Sequence, residues 1–176
     1  MSRTTRPMHP PSSRRRARLR LAARVGAALL AFGGCVVVAA HGNVTPQAVD
    51  TTGLEPLGDA WRNANPYAGN PAAVEIGASG FNQNCARCHG LEAISGGIAP
   101  DLRRLDNDCA TLKDKARRDA CVKDNDDYMI TTVRHGRSRN GAVYMPPFEG
   151  VLSQEAMWAI KSYLESRREK PLPDAP

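Results

Sequence analysis

The longest apolar stretch of the chain lies near its start, from Val25 to Ala40. An arginine-rich segment precedes it, and Val38-Ala39-Ala40 ends it before His41. Its 16 residues are fewer than the roughly 20 that a helix needs to span a bilayer. A basic segment, a short apolar run and small residues at its end are typical of a secretory signal peptide. We therefore predict a signal peptide over residues 1–40, cleaved before His41.

Two alternatives stay open for this leader. The apolar run could remain in the mature protein as an uncleaved membrane anchor. Gly33-Gly34-Cys35 could instead be a poor lipobox in which Cys35 carries the lipid. The apolar residues that follow Cys35 argue against the lipobox, because polar linkers are usual at that position.

Residues 41–71 are rich in Gly, Pro, Asn and Thr and show little periodicity. This composition predicts an irregular N-terminal extension. Its two large aromatic residues, Trp61 and Tyr67, are expected to hold the extension against the domain surface, with a partner contact as the alternative. A helical pattern begins at Ala72 and runs directly into Cys85.

Three further segments show helical patterning with capping residues before or within them: 110–123, about 127–135 after Asn125 or Asp126, and about 154–168 after Ser153. Glycine and proline punctuate the loops between the helices, 90–108 and 137–152. No stretch alternates as a long strand does. We predict an all-α domain over residues 72–170, followed by a tail at 171–176.

The formal net charge of +6 belongs to the leader. Residues 1–40 contain eight arginines and no acidic residue, so the remaining chain holds 16 basic against 18 acidic residues, a net charge of −2. A basic isoelectric point is therefore no sign of nucleic-acid binding here, and we expect no nucleic-acid partner.

Cys85, Cys88 and His89 form the sequence Cys-x-x-Cys-His, which is the attachment motif of c-type haem. The two-residue gap lets one turn of chain bring both thiols to the two vinyl groups, and the adjacent histidine supplies a nitrogen to the iron. A thioredoxin-like pair would need a preceding strand, and a zinc site would need further ligands at suitable spacing. Neither pattern is present, so the motif predicts one covalent haem c.

Met145 is the residue that we expect to be the second axial ligand. It lies in a glycine-bounded loop, and the prolines after it stiffen the backbone. Met129 and Met157 fall on predicted helices, where methionine usually fills gaps in a core. His135, or an open sixth position, is the alternative. A His/Met pair raises the reduction potential and closes the iron to substrates, so we expect an electron-transfer protein rather than an enzyme.

Other residues are expected to support the haem. The region of Ala99 and Pro100 can supply the carbonyl that accepts a hydrogen bond from His89, which would fix the ring tautomer. Three arginines and a tyrosine in the segment that leads to Met145 are candidates for propionate contacts: Arg134, Arg137, Arg139 and Tyr144. Cys109 and Cys121 are the two cysteines outside the motif and the leader. In an exported protein they are an even pair in a compartment where disulfides persist.

Taken together, the residues resemble the class I cytochrome c family over about residues 72–168. Gly77 and Phe81 match the Gly-x-x-x-aromatic pattern of that family's N-terminal helix, and Ile160 and Tyr163 match the apolar-x-x-aromatic pattern of its C-terminal helix. The resemblance implies helices packed around one haem, with the two helices crossing closely at the glycine.

Residues 119–128 and 134–148, and the stretch from Trp61 to Tyr67, are similar to the cytochrome c-550 group that serves quinoprotein alcohol dehydrogenases. This resemblance implies a monomeric periplasmic carrier that accepts electrons from a PQQ-dependent alcohol dehydrogenase. The carrier would pass them to a terminal oxidase or another cytochrome. A peroxidase-like haem enzyme and a membrane-tethered subunit of a respiratory complex are the competing functions.

The expected disulfide between Cys109 and Cys121 would close a charged insert. That insert contains four basic residues, Lys113, Lys115, Arg117 and Arg118. An exposed helix accounts for them, and a docking surface for the dehydrogenase is the sharper hypothesis.

Overall fold

The structure is a computed structural model that describes residues 45–173. The predicted signal peptide, residues 41–44 of the extension and the last three residues of the tail lie outside the described residues. Within residues 45–173 no helix has the length and apolar character needed to span a membrane. The described helices and strands are, in chain order, α1 (Pro71–Asn84), α2 (Ala86–His89), α3 (Lys115–His135), β1 (Arg137–Arg139), β2 (Ala142–Met145) and α4 (Gln154–Ser166), with 3-10 turns at Leu91–Ala93, Leu102–Arg104 and Cys109–Thr111.

The centre of the fold is the crossing of α1 and α4. A Cβ atom on Gly77 would lie 1.9 Å from the carbonyl oxygen of Ala159, so only glycine allows the two backbones to come so close. One turn further along α1, the fully buried ring of Phe81 lies 5.3 Å from the ring of Tyr163. Burying each such ring contributes roughly 1.5–3 kcal/mol. The predicted helix pair is confirmed.

Helix α3 differs from the sequence prediction. Two helices with a cap at Asn125 or Asp126 were expected, but one helix runs from Lys115 to His135 and is capped by Asp114. The two polar side chains face tertiary partners instead of capping backbone. Asn125 donates to the carbonyl of Leu105 at 2.9 Å, and Asp126 accepts from the backbone N–H of Asn65 at 2.8 Å.

The segment predicted as a loop over residues 137–152 contains the small antiparallel hairpin β1–β2. Asn140 and Gly141 connect the strands with φ values of +52° and +78°. An Asn-Gly pair with positive φ at both positions is the usual two-residue hairpin connection, so the signal was present in the sequence. The last helix ends at Ser166 rather than near 168. The all-α class is otherwise correct.

The N-terminal extension is irregular over residues 45–70, and it is bonded to the helical domain. The Tyr67 ring is buried, and its hydroxyl donates to the carbonyl of Glu55. The Trp61 ring lies under the guanidinium of Arg134, 4.0 Å from its carbon. Backbone N–H groups of the extension donate to side chains of α3 and α4: Leu57 to Glu155, Arg62 to Gln154 and Asn65 to Asp126.

Candidate haem site

The Cys-x-x-Cys-His motif forms a single helical turn at the end of α1. The backbone N–H groups of Cys88 and His89 both donate to the carbonyl of Cys85, at 3.1 and 3.0 Å. Residues four apart share a helix face, so Cys85 and His89 lie on the same side of this turn. Gly90 then reverses the chain with φ +80°, and a Cβ atom there would lie 1.8 Å from the carbonyl oxygen of Ile94.

The two motif thiols are free, although they lie one turn apart. Cys85 is partly buried against the hydrophobic core. Burial, with a smaller contribution from Cys88, raises the pKa of the Cys85 thiol to about 12. The neutral thiol is therefore the form that this site favours, and conversion to a thioether leaves the buried sulfur uncharged.

One ring nitrogen of His89 is hydrogen-bonded, and the other is available to bind a metal. Its Nδ1 lies 2.9 Å from the carbonyl oxygen of Pro100, in the region from which the sequence was expected to supply that acceptor. Because a carbonyl only accepts, Nδ1 carries the hydrogen and Nε2 keeps its lone pair. Burial lowers the pKa of His89, against the opposing effect of the Pro100 carbonyl. The neutral ring that results is the form that coordinates metals.

Met145 ends strand β2 and is partly buried against the hydrophobic core. Its backbone is held from two sides. A Cβ atom on Gly136 would lie 2.4 Å from the Met145 carbonyl oxygen, so this close contact requires the glycine that ends α3. Beyond the two prolines, the N–H of Phe148 donates to the carbonyl of Val133 at 3.0 Å.

The alternative axial ligand and the candidate propionate contacts lie in different environments. His135, the alternative axial ligand, has a side chain 57% exposed, and its Nε2 lies 3.4 Å from a carboxylate oxygen of Glu149. Arg137 donates to the hydroxyl of Tyr128 at 2.9 Å and stacks over that ring. Sequence reasoning gave Tyr128 no role. Tyr144 is exposed on β2. Arg134 contacts Trp61 and Glu149 instead of standing as a free cation.

Large apolar side chains are exposed on both segments that flank the motif and Met145. These are Leu91, Ile94, Ile98, Val143, Tyr144 and Val151. Exposed apolar side chains on these segments are available to pack against a bound apolar group. Two free thiols on one turn, a histidine with an available Nε2 and this apolar surface together fit a covalently attached haem.

The disulfide between Cys109 and Cys121 is confirmed, with 5.6 Å between the Cα atoms. It ties the 3-10 turn at Cys109 to helix α3. The basic surface of the insert is smaller than the sequence indicated. Arg118 is buried and donates to the carbonyls of Leu112 and Lys113, and Lys115 pairs with Asp119 at 2.6 Å.

A buried ionic cluster beside this disulfide was missed from the sequence. Lys161 on α4 is 1% exposed and lies within 3.3 Å of carboxylate oxygens from Asp106, Asp126 and Glu165. Arg168 bonds to two of those acids, Asp106 and Glu165. A signal was available, because Lys161 interrupts an apolar helix face where a lysine needs buried acidic partners.

Comparison with known proteins gives three relatives and one family. Residues 72–164, more than half of the chain, match the family described as cytochrome c oxidase, cbb3-type, subunit III. Cytochrome c550 from Pseudomonas aeruginosa is 56% identical over 131 residues, which cover 72% of this chain and 81% of that protein. No solved structure matches the chain.

Two alcohol dehydrogenases of Pseudomonas putida share shorter segments with the chain. Quinohemoprotein alcohol dehydrogenase ADH IIB is 30% identical over 106 residues, which cover 60% of this chain and 13% of the enzyme. ADH-IIG is 50% identical over 34 residues, 19% of this chain and 5% of the enzyme. With the family match and the cytochrome c550 relative, the chain belongs to the c-type cytochromes, electron-transfer proteins with the class I fold and one covalent haem c.

Proposed function

We propose that this protein is a periplasmic one-electron carrier in which Cys85 and Cys88 hold the haem and His89 and Met145 bind its iron. The observation that carries the proposal is the 2.9 Å contact between His89 Nδ1 and the Pro100 carbonyl, which leaves Nε2 available. When bound, haem supplies a one-electron couple between ferric and ferrous iron. Cys85 and Cys88 would hold that group, and His89 and Met145 would supply a nitrogen and a sulfur donor to its iron.

Met145 suits the second axial position better than His135 does. Met145 packs against the hydrophobic core, and its carbonyl is fixed by close contact with Gly136. His135 is mostly exposed and lies beside Glu149, which competes for its Nε2. A weakly donating thioether favours ferrous iron and raises the reduction potential. With both His89 and Met145 bound to the iron, no position would remain for a substrate, as expected of a carrier rather than a peroxidase-like enzyme.

A PQQ-dependent alcohol dehydrogenase is the proposed electron donor. ADH IIB is named a quinohemoprotein, and its likeness to this chain covers 13% of its length. A segment similar to this chain is thus part of an alcohol dehydrogenase. A reduced quinone cofactor holds two electrons, so two molecules of the carrier would each accept one. Each would then deliver its electron to a downstream cytochrome or terminal oxidase.

An optical spectrum of the holoprotein tests the axial ligands. We expect the wild-type ferric spectrum to show the long-wavelength band of methionine–iron coordination. Met145→Ala should abolish this band, while His135→Ala, the matched control, should keep it. A wild-type spectrum without the band would contradict the carrier proposal and favour a haem enzyme. Stopped-flow reduction by a purified PQQ-dependent alcohol dehydrogenase then tests the donor, and the absence of reduction would exclude it.

The matched family description names an oxidase subunit, which favours a second candidate, a membrane-tethered subunit of a respiratory complex. Mass spectrometry of the protein recovered from the periplasm separates the two. A mass that corresponds to a chain starting at His41, with one haem attached, supports the soluble periplasmic carrier. Recovery only from membranes, with the leader retained, supports the tethered subunit.

A further inference from the structure

A buried carboxylate, that of Asp106, is one anchor of the loop that follows Pro100. Asp106 is 2% exposed, and one of its oxygens lies 3.3 Å from Lys161 Nζ and 2.7 Å from Arg168 Nε. Its other oxygen accepts from Asn125 Nδ2 at 3.1 Å. Burial disfavours the ionised carboxyl, yet the two cations hold the pKa of Asp106 below its ordinary value. This loop is therefore fixed to α3, to α4 and to the residues just after α4.

Asn125 connects the same loop to the disulfide. Its Nδ2 donates to the carbonyl of Leu105 at 2.9 Å and contacts Cys109 Sγ at 3.2 Å, in addition to Asp106. Glu169, the residue after Arg168, adds a further contact, because its backbone N–H donates to the carbonyl of Arg103 at 3.0 Å. The polar contacts thus hold the loop at Arg103, Leu105 and Asp106.

The chain between Pro100 and Asp106 is short and ordered. Asp101 caps the 3-10 turn Leu102–Arg104 by accepting from the N–H of Arg103 at 3.1 Å. A short segment with this turn therefore joins the Pro100 carbonyl, which accepts from His89 Nδ1, to the anchored Asp106.

We propose that Asp106 and Asn125 are positioning residues for His89: they hold the Pro100 carbonyl against Nδ1 and thereby set the donor strength of the ring. The inference rests on the proposed coordination of iron by His89. A carbonyl that accepts the Nδ1 hydrogen raises the basicity of the coordinating nitrogen. A stronger donor stabilises ferric iron, so loosening the anchor raises the reduction potential and exposes the Nδ1 hydrogen to solvent exchange.

Three variants of the holoprotein separate positioning from charge. Asp106→Asn removes a carboxylate that connects the two cations to the loop. Glu165→Gln is the matched control, because Glu165 lies 3.2 Å from both Lys161 and Arg168 and its other side-chain contact is with Asn65 in the extension. Asn125→Ala removes loop contacts without changing any charge.

Redox titration and exchange of the His89 Nδ1 hydrogen, followed by NMR, are the readouts. In Asp106→Asn the equilibrium constant for reduction should rise at least threefold above that of Glu165→Gln, and exchange should become at least tenfold faster. Asn125→Ala should change both quantities in the same direction by less. A simple loss of stability would lower the unfolding free energy of all three variants, and their redox and exchange changes would not follow this order.

Equal redox shifts in Asp106→Asn and Glu165→Gln, with Asn125→Ala unchanged, would overturn the inference and leave a charge effect alone. If Asp106→Asn fails to fold, the neutral Asn125→Ala decides the question, and wild-type exchange in that variant counts against positioning. The wild-type spectrum is recorded first. A wild-type spectrum without histidine–methionine coordination refutes the proposed function. A normal wild-type spectrum, with variants that do not follow the expected order of redox and exchange changes, refutes only the positioning role.

Discussion

The two sides of the candidate site are built differently. The histidine side has one helical turn, a tight reversal at Gly90 and a supporting loop fixed by Asp106 in a buried ionic cluster. The methionine side has a hairpin whose strands are almost wholly exposed, and its backbone is held near Gly136 and Phe148. We therefore expect the methionine side to open at a lower free energy than the histidine side, because exposed hydrogen bonds and few buried contacts mark the least stable parts of a fold.

Such a division suits a carrier. The proposed ligand His89, on the side anchored by the ionic cluster, would stay fixed along with the covalent attachment, so the haem would be retained. The proposed ligand Met145 depends on a few close contacts of its backbone, so we expect small changes there to alter coordination without unfolding the domain.

The largest expected effects come from the two glycines that hold these sides. Gly90→Ala places a Cβ atom 1.8 Å from the Ile94 carbonyl oxygen at φ +80°, and Gly136→Ala places one 2.4 Å from the Met145 carbonyl oxygen at φ +68°. Each combines backbone strain with a clash, so we expect losses of about 3–5 kcal/mol in unfolding free energy. Denaturant unfolding should show both losses, but Gly136→Ala should also remove the methionine–iron band while haem stays attached.

Gly96→Ala is the control for both substitutions, since an added Cβ atom there meets nothing within 4 Å. It should change stability by less than about 0.5 kcal/mol. Loss of the methionine–iron band in Gly90→Ala, with the band intact in Gly136→Ala, would reverse the comparison between the two sides.

How far the sequence predicts these features depends on whether their signal is local. The motif turn and the Gly77–Phe81 helix face need only neighbours three or four residues apart, and both were predicted correctly. The Asn140-Gly141 turn is also a local signal. The flanking strands are only three and four residues long, which is too short to show an alternating pattern. Asn125 and Asp126 were misassigned because their partners lie on other segments.

The long-range contacts at the site could not be predicted from the sequence, because the partners are not neighbours along the chain. Gly136 ends a helix, which the sequence indicated, but its contact with the Met145 carbonyl depends on how the hairpin folds back. Asp106 lies in a polar loop with no periodicity, so nothing in the sequence marks it as buried. Its ion pairs are with Lys161 and Arg168, which are more than fifty residues away.

The next largest effect concerns the disulfide on the histidine side. Replacing Cys109 and Cys121 together by serine should lower the unfolding free energy by about 3 kcal/mol, because the bond closes a loop with a sequence separation of 12 residues. Thermal unfolding of the oxidised wild type and the double variant measures the loss. The methionine–iron band should be unchanged at room temperature. A variant that loses this band before it unfolds would show that the two sides are coupled, contrary to the comparison.

The ionic cluster gives the histidine side a defined pH window. The pKa of Asp106 is lowered, despite burial, by Lys161 and Arg168, so its contribution is present above the ordinary carboxyl range near pH 4 and is lost as pH falls through the lowered pKa. The pKa of Lys161 is raised, despite burial, by Glu165, Asp106 and Asp126. Its contribution is present below about pH 10 and is lost as pH rises through the raised pKa.

Urea unfolding across this range should therefore show a plateau in free energy with a decline at each end. In Asp106→Asn the acid decline should be shallower. Glu149→Gln, on the methionine side, is the matched control because Glu149 is 41% exposed and lies outside the cluster. An acid decline that Glu149→Gln removes and Asp106→Asn retains would place the acid-sensitive contacts on the methionine side.

The smallest expected effect tests whether the extension reinforces the methionine side. The Arg134 guanidinium lies 4.0 Å from the centre of the Trp61 ring, one residue before His135 at the end of α3. A double-mutant cycle with Trp61→Leu and Arg134→Gln should give a coupling of about 0.5–1 kcal/mol, as expected for a cation–π contact near solvent. The methionine–iron band should survive in all three variants. A coupling above about 2 kcal/mol, the range for a desolvated pair, would mean that the extension fixes the end of α3, and through it the hairpin, as firmly as the ionic cluster fixes the histidine side.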